Sequence, residues 1–319
     1  MPRYLVTGCA GFIGSTLTEA LLGDGAEVVG IDAFTDYYPR ARKESQIAAA
    51  RRHPAFELVE HDLGSGPLPD GALGDLDGIF HLAARPGVRA SWGAGFPGYL
   101  NDNLAATHAV VQAAIERGSP MVFASSSSVY GDALAYPTAE DTRPSPISPY
   151  GVTKLACELL IDAHVRDFGL RCTQLRYFTV YGPRQRPDMA FQRIVEAVAA
   201  GREFEVFGDG SQSRDFTYVA DAVAATVAAM RGGPSGRIYN VGGGSESTLR
   251  GVIETVEELS GRDLRVRYGE RSAGDVRRTL ADTTRIREEL GWEPGFDLRS
   301  GLASQLDAVG GLASTPPAR

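Results

Sequence analysis

Tyr150 and Lys154 stand four residues apart in the stretch Ser148-Pro149-Tyr150-Gly151-Val152-Thr153-Lys154. On a helix that spacing puts both side chains on one face, a turn apart. A tyrosine with its ordinary pKa of about 10 is a poor base at neutral pH. Bringing a phenol near 7 takes roughly 4 kcal/mol, and an ammonium about 4 Å away at an effective dielectric of about 20 supplies energy of that order. Such a pair suits removal of a proton from a hydroxyl, provided that a hydride acceptor lies beside it. Taken alone, the spacing favours an ordinary surface helix, so the acceptor must come from the rest of the chain.

The first residues supply it. Tyr4-Leu5-Val6-Thr7 reads as a short buried strand that runs into Gly8-Cys9-Ala10-Gly11-Phe12-Ile13-Gly14, followed by a helical pattern through Leu17, Leu21 and Leu22. In a strand, glycine turn and helix of this kind, the backbone approaches a pyrophosphate and the helix amides and dipole bind it. The spacing is GxxGxxG rather than the commoner GxGxxG, and a tight turn in another α/β fold is the weaker alternative. A second strand, Glu27 to Ile31, ends on Asp32, close to where an acid grips a ribose hydroxyl. A carboxylate there repels a 2′-phosphate and so favours NAD over NADP.

Residues 36–53 are polar and rich in Arg and Ala, which suggests a loop and an exposed helix. Phe56–Glu60 reads as a third strand, with Asp62 after it placed to meet an adenine edge. Ile79–Leu82 reads as a fourth strand, and Ala83 and Ala84 beyond it are small enough to let a dinucleotide pass. A long helix over 97–117 leads to a fifth strand, Met121–Ala124, which ends in Ser125-Ser126-Ser127-Ser128-Val129-Tyr130-Gly131. Strands alternating with helices imply a parallel, doubly wound sheet, in which ligands sit beyond the carboxyl ends of the strands. Serines at that place are equally a polar loop or partners of a reacting hydroxyl.

A sixth strand over 170–178 is followed by an Arg- and Pro-rich loop (179–190), a helix (191–200) and a strand (203–207). Another helix (219–231), the strand Ile238–Val241 and a helix over 249–259 complete the pattern. The expected division is a Rossmann-like dinucleotide-binding domain over 1–178 and a smaller α/β substrate lobe over 179–319, with some segments crossing back. The last ten residues are expected to fray.

A chain of 319 residues with 43% apolar and 23% charged residues has an ordinary soluble, globular composition. Its net charge of -8 argues against nucleic-acid or anionic-membrane partners, which want a basic face. The three cysteines, Cys9, Cys157 and Cys172, are odd in number and far apart, as in a reducing cytoplasmic setting. The five histidines show no metal-ligand spacing, so no metal site is expected. The N-terminus opens directly on a strand, and the longest weakly polar run, Ala222 to Met230, falls far short of the ~20 residues that span a bilayer.

The segments TGCAGFIG, HLAA, SSSSVYG, SPYGVTK, LRYFTVYGPRQRPDMAF, FGDGSQSRDFTYVADAV, YNVGGG and LGWEP resemble those of the extended short-chain dehydrogenase/reductases, in particular the NAD-dependent sugar-nucleotide epimerases and dehydratases. RYFTVYGPRQRPDMAF is most similar to the UDP-glucuronate 4-epimerases within that group. The resemblance implies that Tyr150 is the catalytic base and acid, that Lys154 stabilises its phenolate and holds the nicotinamide ribose, and that Ser126 assists proton transfer. It implies that Gly8, Gly11, Gly14, Asp32 and Asp62 hold NAD, with Phe12, Ile13, Leu63, Leu82, Ala83, Ala84, Asn103 and Tyr177 beside them. On the substrate side it implies Arg214 as the diphosphate clamp, with Arg271 in looser spacing, Phe207 at the uracil, Ser127, Ser128, Thr179 and Arg186 nearer the sugar, and Arg89 as a further substrate-binding residue. It also implies a homodimer paired through the helices over 97–117 and 150–168.

The expected reaction is a UDP-sugar 4-epimerisation through a transient 4-keto sugar, UDP-glucuronate to UDP-galacturonate in the first place and UDP-glucose as the alternative. Two departures bear on the sugar: Ser126 stands where glucuronate epimerases often carry Thr, and FGDGSQSRDF is closer to the hexose epimerases. A 4,6-dehydratase needs an acidic pair where Ser127 and Ser128 stand, and a UDP-glucuronate decarboxylase typically a Glu at the place of Ser128. A non-catalytic dinucleotide sensor usually lacks the Tyr/Lys pair, which this chain retains.

Overall fold

A computed structural model describes residues 1–69, 73–270 and 274–310. Arg271 and all but the first of the last ten residues lie outside them. Seven parallel strands form the central sheet: β1 (Arg3–Thr7), β2 (Glu27–Asp32), β3 (Phe56–Glu60), β4 (Gly78–His81), β5 (Met121–Ser126), β6 (Cys172–Tyr177) and β10 (Ile238–Val241). Their spatial order is β10-β6-β5-β4-β1-β2-β3. The strands are short apolar runs because helices cover both faces, and β4 and β6 are buried along their whole length. Two large apolar clusters, one on each face, form most of the core.

The order reverses at β1. Thr7 pairs with Ile31 of β2 on one side and with His81 of β4 on the other, so the crossovers diverge and open a crevice at the strand ends. The last strand of this sheet comes from late in the chain: Ile238–Val241 pairs with Gln174–Tyr177 of β6.

The rest of the second half builds two small sheets. β7 (Thr179–Tyr181), β9 (Ser213–Tyr218) and β11 (Glu246–Thr248) form one, and β8 (Phe204–Phe207) pairs with β12 (Val266–Gly269) in the other.

Two elements differ from the sequence expectation. The long helix over 97–117 starts with a short turn, Phe96–Tyr99, passes through a π-helical turn at Leu100–Ala105 and becomes regular only at Ala106–Arg117. A π turn inserts an extra residue and changes which side chains face inward, and here it buries Asn103. The helix within 36–53, Arg40–Gln46, is exposed on one side only: Arg40, Ala41 and Ser45 face water, while Lys43 and Gln46 are buried and Lys43 lines the crevice.

Candidate active site

The glycine turn is shaped by contact. Gly8 has φ +71 and its α-carbon lies against the backbone of Ala83, where a Cβ would come within 2.9 Å. A Cβ on Gly14 would meet the Gly8 carbonyl oxygen at 2.1 Å, so β1, the turn and the helix Phe12–Gly23 close together only with glycine at both places. The far side of the turn is anchored by Asp32, whose Oδ2 accepts the Ala10 amide at 3.2 Å and whose Oδ1 accepts the Phe34 amide at 2.8 Å. Lys43 Nζ lies 3.4 Å from the same Oδ1, so a buried cation partly balances this acid.

On the other side of the crevice the ends of β1 and β4 are fixed by one hydroxyl. Thr7 Oγ1 accepts the amides of Leu82 and Ala83, both at 3.1 Å, and therefore donates its own proton to His81 Nδ1 at 2.8 Å. His81 is left with its proton on Nε2, which faces Thr107 at 3.1 Å. Burial, helped by the charge of Lys154, lowers its pKa to about 3, so this histidine is a neutral strut.

The Tyr150/Lys154 helix runs from Pro149 to Phe168. Pro149 suits the first helical position, and Ser148 caps the end by accepting the Gly151 amide at 3.1 Å. Lys154 Nζ donates to the Ala124 carbonyl at 2.8 Å and lies 4.9 Å from the Phe123 ring centroid, which pins the ammonium at the end of β5. One turn further on, Glu158 takes Arg176 of β6 through Nε (3.0 Å) and Nη2 (2.7 Å), and the Ser125 hydroxyl at 2.5 Å. This buried network locks the helix against the two strands that carry the serines and Tyr177. The Tyr150 ring meets Tyr99 edge-on at 6.3 Å, and the Tyr99 hydroxyl reaches the carbonyls of Pro86 (2.7 Å) and Gly87 (2.8 Å).

These elements enclose a cavity of about 360 Å³. Part of its wall is formed by Gly8, Gly11, Phe12, Ile13, Gly14, Asp32, Asp62, Leu63, Leu82, Ala83 and Ala84, the residues expected beside a cofactor. The same cavity is also lined by Ser126, Ser127, Ser128, Tyr150, Lys154, Tyr177, Thr179 and Arg186, from four separate segments. Ser126 Oγ accepts the Ser128 amide at 3.2 Å, which turns the serine loop back on itself.

Three expected substrate residues form a neighbouring cluster outside the cavity wall. The Arg89 guanidinium stacks on Phe207, 4.0 Å from the ring centroid, and donates to Asp275 at 3.0 Å. Arg214 lies 3.8 Å from the other oxygen of Asp275 and donates to the Val276 carbonyl at 2.5 Å. The cluster borders the cavity through Val88, which lines it and which a Cβ on Gly274 would approach to 3.0 Å.

Asn103 does not line the cavity. It is buried behind it: Oδ1 accepts the Arg85 amide at 2.7 Å, and Nδ2 donates to the Arg85 carbonyl (3.2 Å) and to Thr153 (3.0 Å). Sequence reasoning passed over Tyr37, Tyr38, Lys43, Met189 and the segment from Arg85 to Val88, all of which line the cavity. The adjacent tyrosines 37 and 38, two aromatic rings in an otherwise polar run, were the available signal.

Known proteins share both sequence and fold. A Bacillus subtilis (strain 168) protein described as an uncharacterized UDP-glucose epimerase is 40% identical over 314 residues, covering 97% of this chain and 98% of the relative. The UDP-glucuronate 4-epimerase of Thermodesulfobacterium geofontis (strain OPF15) is 35% identical over 308 residues, covering 95% of this chain and 94% of that enzyme. The crystal structure of UDP-glucuronic acid 4-epimerase from Bacillus cereus in complex with UDP-glucuronic acid and NAD superposes with a TM-score of 0.93 at 38% identity, covering 97% of this chain and 99% of the other. The NAD dependent epimerase/dehydratase family pattern matches residues 4–242, about three quarters of the sequence, and the chain belongs to that family.

Proposed function

We propose that the protein is an NAD-dependent UDP-sugar 4-epimerase that interconverts UDP-glucuronate and UDP-galacturonate. The observation that carries this reading is the lining of the cavity: Tyr150 and Lys154 share it with hydroxyls from Ser126, Ser127, Ser128 and Thr179, and with the cation of Arg186. The bare glycine turn suits a pyrophosphate, and Asp32 at the end of β2 suits the adenosine ribose. Bound there, NAD supplies a hydride acceptor and donor at the sugar's C4. Tyr150 takes the C4 hydroxyl proton and later returns it, while Lys154 holds positive charge at the end of β5. The serines orient the reacting oxygen, and no carboxylate stands at 126–128 to move a C5 proton. The 4-keto sugar turns about its diphosphate link and presents its other face. Arg89, Phe207 and Arg214 are the groups for the uracil and diphosphate.

The same reading divides the chain into a cofactor half, 1–178, and a mainly substrate-binding half, 179–319, with Ile238–Val241 returned to the central sheet. It makes the protein a homodimer. Val152 and Leu159, seven residues apart on one helix, and Leu100 on the other are exposed apolar side chains, as a helix-to-helix interface requires. Sedimentation of the wild type against Leu159→Glu tests this, and a wild-type monomer rejects it. Three buried, unpaired cysteines favour the cytoplasm, and among the described residues no helix is long and apolar enough to cross a membrane.

UDP-glucose is the second reading, because Arg186 already has a carboxylate partner in Asp188 and the Bacillus subtilis relative is described as a UDP-glucose epimerase. Incubating the purified protein with each nucleotide sugar, without added reductant, decides between them. UDP-galacturonate as the faster product supports the acid, and faster UDP-galactose formation overturns it.

A further inference from the structure

Arg186 enters the cavity with its charge already answered. Its Nε donates to Asp188 Oδ1 and its Nη2 to Asp188 Oδ2, both at 3.1 Å, so the acid takes the side edge of the guanidinium fork. Asp188 is in turn held by the hydroxyl of Tyr37, a residue that follows β2, at 3.3 Å. That tyrosine is itself fixed. Its ring centroid lies 5.9 Å from the guanidinium, and its hydroxyl sits against Gly87, where a Cβ would come within 2.5 Å. Arg186 is therefore held by the loop after β2 as well as by its own loop.

A guanidinium carries five N–H donors in one plane. The side edge uses Nε and one hydrogen of Nη2, which leaves the end edge, Nη1 with the second Nη2 hydrogen, for another anion. A partly buried arginine with no counter-ion would bind a sugar carboxylate strongly and would be left uncompensated by a neutral hydroxymethyl group. An arginine with an internal carboxylate is satisfied with either sugar. The same carboxylate sets a negative charge close to an incoming anion and weakens its binding.

We infer that Asp188 is a specificity-determining residue of the epimerase: it fixes the plane of Arg186 and cancels part of its charge, so that the site accepts a carboxylated sugar without excluding a neutral one. This rests on the reading that Arg186 faces the C5 substituent of the sugar. Asp188 acts through Arg186 and is a positioning residue. Its side chain is 41% exposed against 18% for Arg186, so water screens it and the effect is moderate.

The test measures dissociation constants of UDP-glucuronate and UDP-glucose by calorimetry, in NAD-loaded protein carrying Tyr150→Phe to stop turnover. Asp188→Asn keeps the shape and Asp188→Ala removes the side chain. Both should raise the preference for UDP-glucuronate over UDP-glucose by ~3- to 10-fold, with UDP-glucose affinity within about twofold of the parent. Adding either substitution to Arg186→Ala should leave the preference where Arg186→Ala alone sets it. An unchanged preference in both Asp188 variants, or equal loss for both sugars, overturns the inference while the role of Arg186 stands. If Arg186→Ala weakens both sugars equally, that role fails, and the inference falls with it.

Discussion

Asn103 Nδ2 donates to the Thr153 hydroxyl at 3.0 Å, while its Oδ1 accepts the Arg85 amide at 2.7 Å. Thr153 lies beside Lys154 on the helix Pro149–Phe168 and donates to the Tyr150 carbonyl at 2.9 Å, and Arg85 begins a segment that lines the cavity. One buried side chain thus links the segment at Arg85, which lines the cavity, to the helix that carries Tyr150 and Lys154. Removing it breaks three hydrogen bonds worth about 1 kcal/mol each and leaves an amide unsatisfied. Asn103→Ala should therefore lower unfolding stability by roughly 2–4 kcal/mol. It should also lower the NAD content of the purified protein. Urea denaturation and nucleotide extraction measure the two effects, and an unchanged midpoint with full NAD content would show that the link is dispensable.

Tyr150→Phe keeps the ring that Tyr99 packs against and removes only the hydroxyl. It should retain NAD(H) and lose epimerase activity by at least ~100-fold, the scale of general acid–base catalysis. On the proposed ribose role of Asp32, whose carboxylate would repel a 2′-phosphate, the extracted nucleotide should be NAD(H) rather than NADP(H), even though Lys43 offsets part of its charge. Near-normal turnover refutes the assigned base, and recovery of NADP(H) refutes the ribose site.

The sequence made the parallel central sheet legible through its alternating strands and helices, and the site through local motifs. The glycine turn and the Tyr150/Lys154 helix follow from residue type and spacing over seven residues, and the cavity brings them together. Of the small sheets only β8, expected as a strand over 203–207, was legible as a strand. β7 and β11 have three residues each, too few for a periodic pattern, and β9 was visible only as a motif around Arg214. Their pairing is non-local: Thr179 lies opposite Phe216, and Ser213 opposite Thr248. Lys43 shows the same limit in the site, because nothing in a run of arginines and alanines says that this lysine turns inward to Asp32.

Asp215 ties together segments of the second half of the chain, and its carboxyl should leave a mark on the pH dependence of stability. It accepts the amides of Gly243 (2.5 Å) and Ala281 (3.0 Å), and burial raises its pKa from 3.8 to about 6. The folded protein thus binds this proton more tightly than the unfolded chain does. The contribution is fully present below 3.8 and is lost as pH rises through about 6. About 2 pKa units at 1.36 kcal/mol each give a ceiling of roughly 3 kcal/mol. Asp215→Asn should cost stability at every pH and should cost most in acid. Denaturation of both proteins between the two pKa values checks it, and parallel stability curves would show that Asp215 does not titrate there.

The last expectation concerns how a carboxylated sugar survives its own intermediate. Oxidation of UDP-glucuronate at C4 gives a β-keto acid, which loses CO2 when the C5–carboxylate bond aligns with the carbonyl π system. A 4-epimerase must hold that carboxylate out of alignment while C4 stays open to reduction. Thr179, at the start of β7, and Arg186, held by Asp188 and Tyr37, stand in the cavity wall with the three serines. Neutral hydrogen bonds contribute about 1 kcal/mol and those to a charged group about 1.5–3, so losing one should slow UDP-glucuronate epimerisation roughly 10- to 100-fold without abolishing it. Thr179→Val and Arg186→Ala should both show that loss. Each should also release CO2 and a UDP-pentose, because the freed carboxylate reaches the aligned geometry before C4 is reduced. Chromatography of the products with a CO2 assay measures both. Wild-type rates with no added CO2 in either variant would mean that other groups guard the carboxylate, and Ser127 and Ser128 would be the next to substitute.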